Sequence, residues 1–585
     1  RSLAFLGQPK TNNANDTYQG LVGLSGSFAD RRWTWDIYGS HGNTRVDSTS
    51  EQGYALLPTY RALLQAPNYG AGFTGAAGTC TSGISPFVGQ ISQDCIDLLT
   101  YRYRNRIRQK QDVVEANLQG KVADLPAGEL RVAIGADYRR NKLSTDLDPA
   151  FRGDLTVDPS GVASSVVGNF AANSSAGSNS VKEVFGEVLV PILKDLPLIQ
   201  SFDVDLAYRY SDYRLSGGVS TYKADANWQL TDFLRVRGGY QRAVRAPNVT
   251  ELFSAQQSRI VIPALDPCVN AGPFAIPPGS YGNNAANPDL AKVRALCVAL
   301  SPNANPGLYN AGFVGSGTPV LVGQLSGNPT AAPESADTYT LGAIFSPKGL
   351  PWNSRLSLSV DYYRISVNDA IAALDPNQTY QLCFNGFGTN PTYDANNAYC
   401  RTLIRAPGNG LPAGVNSVYQ NQGGIKTQGI DAQIDWSVPA GPGTFNLNAV
   451  GNYLLHYEVS FAPGVPFVDY ADTISSTAAY FRWRSLVTAS YRGSGLNLGL
   501  RWKHLPSAND STCTGTACLA PDTAKYDLFD LFLGVDVGKS LRLTGGVDNL
   551  FDKGPRIVGG IPGNTNVGEY DVVGRQFYVA ARAKF

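Results

Sequence analysis

Residues 202–210 read Phe-Asp-Val-Asp-Leu-Ala-Tyr-Arg-Tyr, and this short stretch decides the fold. Successive side chains of an extended strand point to opposite faces. Phe202, Val204, Leu206, Tyr208 and Tyr210 therefore share an oily face, and Asp203, Asp205 and Arg209 share a wet one. The pattern recurs along the chain. Tyr222, Ala224, Ala226, Trp228 and Leu230 alternate with Lys223, Asp225, Asn227 and Gln229. Leu234, Val236, Gly238 and Tyr240 alternate with Arg235, Arg237 and Gln241; Leu496, Leu498, Leu500 and Trp502 alternate with Asn497, Arg501 and Lys503. Repeated segments of this kind, about ten residues long, mark a transmembrane β-barrel. A soluble sandwich or propeller would share the alternation but not its two companions. Aromatics stand near the ends of the oily faces (Phe202 and Tyr210, Tyr222 and Trp228), as interfacial girdles require. The wet faces carry charges of both signs, which suits a hydrated or plugged lumen.

The pattern predicts an all-β, antiparallel barrel with about seventeen strands. They fall near residues 17–28, 32–46, 111–122, 128–146, 179–193, 200–214, 218–231, 233–244 and 334–346. The remainder fall near 353–370, 420–438, 443–460, 479–493, 495–505, 525–538, 541–552 and 573–585. Connections alternate between short ones, such as Ala29-Asp30-Arg31, Lys194-Asp195-Leu196 and Gly538-Lys539-Ser540, and long ones rich in Gly, Asn, Pro and Ala. Short periplasmic turns alternating with long outer loops is the barrel rule. The eight cysteines check the parity. They form four close pairs, Cys80/Cys95, Cys268/Cys297, Cys383/Cys400 and Cys513/Cys518, each inside a long connection. Even numbers at short separations predict disulfides and an oxidising compartment, and a crosslink gains most in a long flexible segment.

Composition excludes other classes. Charged residues are 16% of the 585 and the net charge is +1, without the concentrated basic surface that nucleic-acid binding needs. Hydrophobic residues at 43% exclude disorder. No run of apolar residues reaches the length of a transmembrane helix. His41, His456 and His504 have no evident catalytic neighbours in sequence. Asp266, Asp289 and Asp510 lack the spacing of a calcium loop. The expectation is therefore a protein that is not an enzyme, with no cofactor and no metal site.

Three stretches carry a specific resemblance. The last strand places Phe577, Val579, Ala581, Ala583 and Phe585 on one face; a terminal phenylalanine closing such a strand resembles the signal read by the outer-membrane barrel-assembly machinery. Residues 239–253, Gly-Tyr-Gln-Arg-Ala-Val-Arg-Ala-Pro-Asn-Val-Thr-Glu-Leu-Phe, resemble the R-A-P-N/E-L-F segment of TonB-dependent outer-membrane receptors. Its members here are Arg242, Arg245, Ala246, Pro247, Asn248, Glu251, Leu252 and Phe253. Residues 547–553, with Asn549, Leu550, Phe551 and Asp552, resemble that family's N-L-F-D-K element. Pro247 cannot donate to a ladder and disfavours helix at Ala246, so the first segment ends a strand. Arg245 can pair with Glu251, so the segment is expected chiefly to shape the loop entrance.

The resemblance implies a barrel of about twenty-two strands, with a plugged lumen. Residues 1–585 are then its C-terminal barrel portion, with the N-terminal plug, the TonB-contacting box and about five strands absent and residues 1–16 in an outer loop. It implies energy-coupled uptake of a bulky, scarce solute, a ferric siderophore first and a saccharide second. Implied partners are outer-membrane lipid and lipopolysaccharide, the TonB complex acting through a plug, the barrel-assembly machinery, and a small-molecule or oligosaccharide ligand. Implied localisation is the outer membrane of a Gram-negative bacterium, long loops outward. A passive porin of 16–18 strands is the alternative by count, but porins lack both motifs. Tyr281, Tyr309, Tyr380, Tyr393 and Tyr399 could stack on sugar rings or pack the loops. Arg235, Arg237, Arg501 and Lys503 are expected to face the lumen, and the substrate-binding residues stay unknown.

Overall fold

The computed structural model describes the chain except residues 1–2, 88–89, 153–163, 262–265, 269–286, 302–320, 406–411, 512, 514–519, 560–563 and 585. Seventeen long strands build one antiparallel sheet in which each pairs with the next. They are β1 (Lys10–Phe28), β2 (Trp33–Gln52), β3 (Arg104–Leu125), β4 (Gly128–Asp146), β5 (Ser175–Leu196), β6 (Ile199–Tyr213), β7 (Gly217–Thr231) and β8 (Leu234–Arg245). The run continues with β9 (Glu334–Phe345), β10 (Arg355–Asn368), β11 (Gly424–Ala440), β12 (Gly443–Ser460) and β13 (Trp483–Gly493). It closes with β14 (Leu496–Leu505), β15 (Tyr526–Val537), β16 (Leu541–Asp548) and β17 (Gln576–Ala583). A two-residue segment, Val468–Asp469, adds to the end of β12. No ladder joins β1 to β17 among the described residues. Among those residues, no helix is long and apolar enough to cross a membrane.

The expected elements are all present, and their differences lie mostly at the long-loop rim. Residues 10–16, assigned to a loop, extend β1, and β2 runs on to Gln52. β3 begins at Arg104 instead of 111, β13 begins only at Trp483, and β16 stops at Asp548. The added segments are polar on both faces. They stand above the apolar band, where nothing requires alternation.

The sheet is oily on the outside. Tyr208 and Tyr210 on β6, Leu341 on β9 and Leu498 on β14 are large apolar side chains in the open, while Glu183 and Ser211 on the opposite face are buried. A soluble protein would bury the first set; lipid is the solvent that accepts this arrangement. Aromatic pairs mark the short-turn edge, with Phe28 stacked on Trp33 at 6.2 Å and Phe233 edge-on to Phe345 at 5.8 Å. Tyr240 and Tyr339, 4.8 Å apart, mark the other edge.

Hydrophobic cores sit in the loops of the long-loop rim. In 53–103, helices α1 (Leu57–Gln65) and α2 (Gln93–Leu99) bury Leu63 and Leu99 around the Cys80–Cys95 disulfide. Hydrogen bonds from Ser92 and Thr81 hold the Asp94 carboxyl well below the usual carboxylate range. Loops 246–333 and 369–423 share a second core, which holds the Cys268–Cys297 and Cys383–Cys400 disulfides. Cys518 lies outside the described residues, as does Phe585 of the terminal strand; Phe577 and Val579 are fully open on β17.

Leu341 lies between the two aromatic edges, on the lipid face. Leu341→Arg is expected to cost about 2–4 kcal/mol in lipid vesicles, whereas Thr340→Arg, facing the lumen, costs much less. Urea titration of both variants reads the difference; equal costs would contradict the assignment of faces.

Candidate functional site

The lumen wall is a lattice of charges that neutralise one another. Arg237 on β8 reaches across β9 and binds Asp361 on β10 through two bonds of 2.8 Å. Paired N–H donors fix such a contact more firmly than one. Lys223 bridges Glu187 at 2.7 Å and Asp205 at 2.8 Å. Glu183, almost fully buried, accepts from Arg139 at 3.3 Å, Arg209 at 3.2 Å and the Ser211 hydroxyl. Arg209 also lies over the Phe185 ring at 4.4 Å. Of the four cations expected in the lumen, Arg235 donates to Gln229 at 2.8 Å and Lys503 to the Glu569 carbonyl at 2.9 Å. Arg501 stands opposite Asp530 in the β14–β15 ladder. Recesses open along this wall among the described residues. One of about 450 Å³ borders Glu183, Arg209 and Lys223; one of about 650 Å³ borders Arg237, Asp361, Asn452 and Glu569.

The first motif fastens a loop to the wall. β8 ends at Arg245, and Pro247 blocks its continuation. Asn248 then caps α3 (Val249–Phe253), accepting from the Thr250 and Glu251 amides at 2.9 Å, while Glu251 accepts from the Asn248 amide at 2.8 Å. This reciprocal capping box satisfies amides at both ends of the turn. Arg245 joins that turn to the sheet: it donates to Glu251 at 2.9 and 3.1 Å and to Glu334 at 2.5 and 3.1 Å. Glu334 in turn accepts from the Ile371 amide at 2.9 Å. One guanidinium thus ties three chain segments. Arg242 faces the other way, outward, and donates to Asp337 at 3.2 Å. Leu252 is fully buried, and Phe253 packs against Gly177 of β5.

The second motif holds the base of the last loop. Asn549 is buried with a φ of 53°, a left-handed conformation that Asn adopts more readily than most residues. Its side chain donates to Asp571 at 2.8 Å and to the Lys553 carbonyl at 3.1 Å, and accepts from the Lys553 amide at 2.7 Å. Asp552 accepts from the Arg575 amide at 3.0 Å, and the Leu550 amide donates to Phe529 at 2.7 Å. Phe551 projects outward, edge-on to Phe529 at 5.5 Å. The motif was expected within a strand to 552; it forms instead the turn after β16, at the base of the loop whose Glu569 carbonyl accepts from Lys503.

Tyr380 and Tyr393 are buried in the shared loop core, and Tyr399 packs against it, so these tyrosines hold the loops together. Tyr281 and Tyr309 lie outside the described residues. Arg405 and Asp266 form a buried ion pair beside Tyr380. The histidines are dispersed, each on its own aspartate: His41 on Asp112 at 2.6 Å, His456 on Asp469 at 2.8 Å and His504 on Asp527 at 2.6 Å. Asp289 pairs with Lys292, and Asp510 accepts from the Gly559 amide. No described cluster of His, Cys, Asp and Glu could hold a metal ion. The acids that complete the site, Glu183, Glu334 and Asp361, were not legible. Each is an isolated carboxylate in sequence, and only the strand register brings its cation alongside.

An oily-out, polar-in meander with folded loops at one rim defines a transmembrane β-barrel. The TonB dependent receptor-like, beta-barrel family model matches residues 2–550, so the chain belongs to that family. Among curated proteins, none matches the sequence. A mutant of the ferric enterobactin receptor PfeA from Pseudomonas aeruginosa superposes with a TM-score of 0.55 at 16% identity, covering 98% of this chain and 62% of that one. The siderophore receptor PirA from Acinetobacter baumannii gives 0.52 at 14% identity, covering 98% and 63%. The chain thus spans less than two thirds of the length of these relatives. Members of the family are transporters and receptors, outer-membrane barrels of Gram-negative bacteria.

The Tyr380 hydroxyl is buried with no hydrogen-bond partner among the described residues. Burial pushes its phenol above the ordinary value. Stability from the neutral phenol is therefore full below pH about 10 and falls as pH rises beyond it. Tyr380→Phe should change loop stability at neutral pH by less than about 1 kcal/mol and remove that alkaline loss. Limited proteolysis of the loops against pH measures both. Asn549→Ala should cost about 1–3 kcal/mol, since it strands three half-buried hydrogen-bond partners, and should expose the last loop to protease first.

Proposed function

We propose that this chain is the barrel of an outer-membrane transporter that takes up a bulky, scarce solute with TonB-coupled energy. The long loops face the cell exterior. Family membership carries the reading. The geometry supports it through a polar lumen wall on which Glu183, Lys223, Arg237 and Arg245 are already paired and a rim of folded, crosslinked loops large enough to receive a bulky ligand. A diffusion pore needs neither elaborate loop cores nor the Arg245 clamp. A ferric siderophore is the leading cargo, in keeping with what the structural relatives bind, and a saccharide is second.

The outer edges of β1 and β17 have no strand partner among the described residues, which supports a second part of the proposal. An exposed edge strand is an open template for backbone pairing, and in hydrocarbon its unmet groups cost several kcal/mol each. Residues 1–585 are then the C-terminal part of a larger barrel, and preceding sequence supplies the remaining strands, the plug and the TonB contact. The motif residues Arg245, Asn248, Glu251, Asn549 and Asp552 act in this reading by fixing loops, with no direct part in ligand binding. Arg242 is set apart by its outward aspect. Phe577, Val579 and Phe585 serve recognition by the assembly machinery.

Deletion of the gene, followed by growth on single iron or carbon sources, tests the transport reading. Loss of growth on one source, reproduced by loss of TonB, is expected. Single-channel conductance through the purified protein without TonB dependence would overturn it in favour of a porin.

A further inference from the structure

The outward face of the sheet carries a second charged surface, where the charges do not cancel. In the β3–β4 ladder Lys110 stands directly opposite Lys142, with Asp112 opposite Arg140 on one side and Arg108 opposite Ser144 on the other. Arg108 also stands opposite Arg45 of β2. Like charges directly opposite on one face destabilise a sheet unless something of opposite charge lies between them. The two carboxylates on the flanks of this cluster, Asp112 and Asp47, are committed. Asp112 is held by His41 at 2.6 Å, and Asp47 gathers Arg45, Arg104 and Arg106. Asp146, at the upper end, stands opposite Arg106 and forms no ion pair with Arg108, Lys110, Arg140 or Lys142. Arg108, Lys110, Arg140 and Lys142 have no carboxylate within ion-pair distance among the described residues, in contrast to Arg139, Arg209, Lys223, Arg237 and Arg245 of the lumen wall.

These four side chains line a recess of about 460 Å³ together with Ser144 and Ser178, whose hydroxyls are further donors. Ladder parity places it on the lipid-facing side. The next outward pair below Asp112 and Arg140 is Val114 with Tyr138, and then Ala116 with Ala136, which faces Val184 on β5. Val114 and Val184 are more than half exposed. A basic recess therefore sits directly above an apolar band on the same three strands. Arginine forks and lysine ammonium groups are the side chains that bind phosphate. A soluble phosphate would use the recess alone. A lipid uses both parts, with its chains on the band and its head in the recess.

We propose that this recess binds the phosphorylated sugar headgroup of an outer-leaflet glycolipid. The inference rests on the orientation proposed above and is independent of the solute carried. It also accounts for the polar extensions of β3 and β4, which raise the cations to headgroup height.

The test uses protein purified from outer membranes in mild detergent, with bound glycolipid measured by mass spectrometry. The variant R108Q/K110Q/R140Q/K142Q should retain at least about tenfold less glycolipid than the parent, a loss of about 1.4 kcal/mol, with unchanged heat-modifiable migration. K110R/K142R should retain it. Added bisphosphorylated glycolipid should raise the thermal midpoint of the delipidated parent. The same lipid stripped of phosphate should not, nor should inorganic phosphate at matched concentration. Equal retention by the quadruple variant would overturn the proposal, and so would an equal response to inorganic phosphate, which marks a free-anion site. Should the quadruple variant fail to fold, the single K110Q and K142Q variants decide, a drop upholding the site and parity with the parent overturning it. TonB-dependent growth is scored separately. Its absence in a parent that retains glycolipid strikes the transport reading alone.

Discussion

Every level of this structure follows from one constraint: a backbone that crosses hydrocarbon must meet its own hydrogen bonds. A strand can do so only through its neighbours, which forces the long sequential meander from β1 to β17. With the backbone satisfied, each side-chain face is free to match its solvent. Lipid takes Leu341 and Leu498. The lumen takes Asp361, Glu183 and Lys223. The ordinary logic of a hydrophobic core is thereby displaced from the sheet into the loops, where water returns and buried leucines, tyrosines and disulfides do the usual work.

The same constraint explains what could be read from the sequence. β4 and β12 occupy the residues anticipated, 128–146 and 443–460, because each starts at a short turn and alternates clearly through its apolar band. The first seven residues of β1, Lys-Thr-Asn-Asn-Ala-Asn-Asp, escaped notice, as did the opening of β3, Arg-Asn-Arg-Ile-Arg-Gln-Lys. Alternation is a signature of lipid on one side. Above the apolar band both faces meet polar surroundings, and a strand there looks like a loop. The partners of the lumen cations were hidden for another reason. Arg245 and Glu334 are 89 residues apart, and only Glu251 lies close enough in the chain to be guessed.

The two motifs share a physical role although their chemistry differs. Each sits where a strand ends at the long-loop rim, and each satisfies polar groups that the ladder leaves behind. Arg245 does this with charge, drawing β9 and α3 onto the end of β8. Asn549 does it with an amide folded into a left-handed turn. A long loop is costly to position because its ordering entropy is unmet along most of its length. Fixing it at its base leaves the remainder to pack on its neighbours.

The wall also shows how a lumen filled with charge stays open. Arg237 reaches Asp361 by passing over Gly342, and a Cβ at Gly342 would collide with that carboxylate. Gly239 likewise leaves room for the Asp225 carboxylate on the adjacent strand. At both positions the missing side chain is a groove in which a charged neighbour lies flat against the sheet. Cations that pair along the wall need not project into the lumen to find a partner. The outward basic recess is built the opposite way, with like charges facing one another and no groove to an acid. The first surface finds most of its counter-charge within the chain, whereas the second is arranged to receive it from outside.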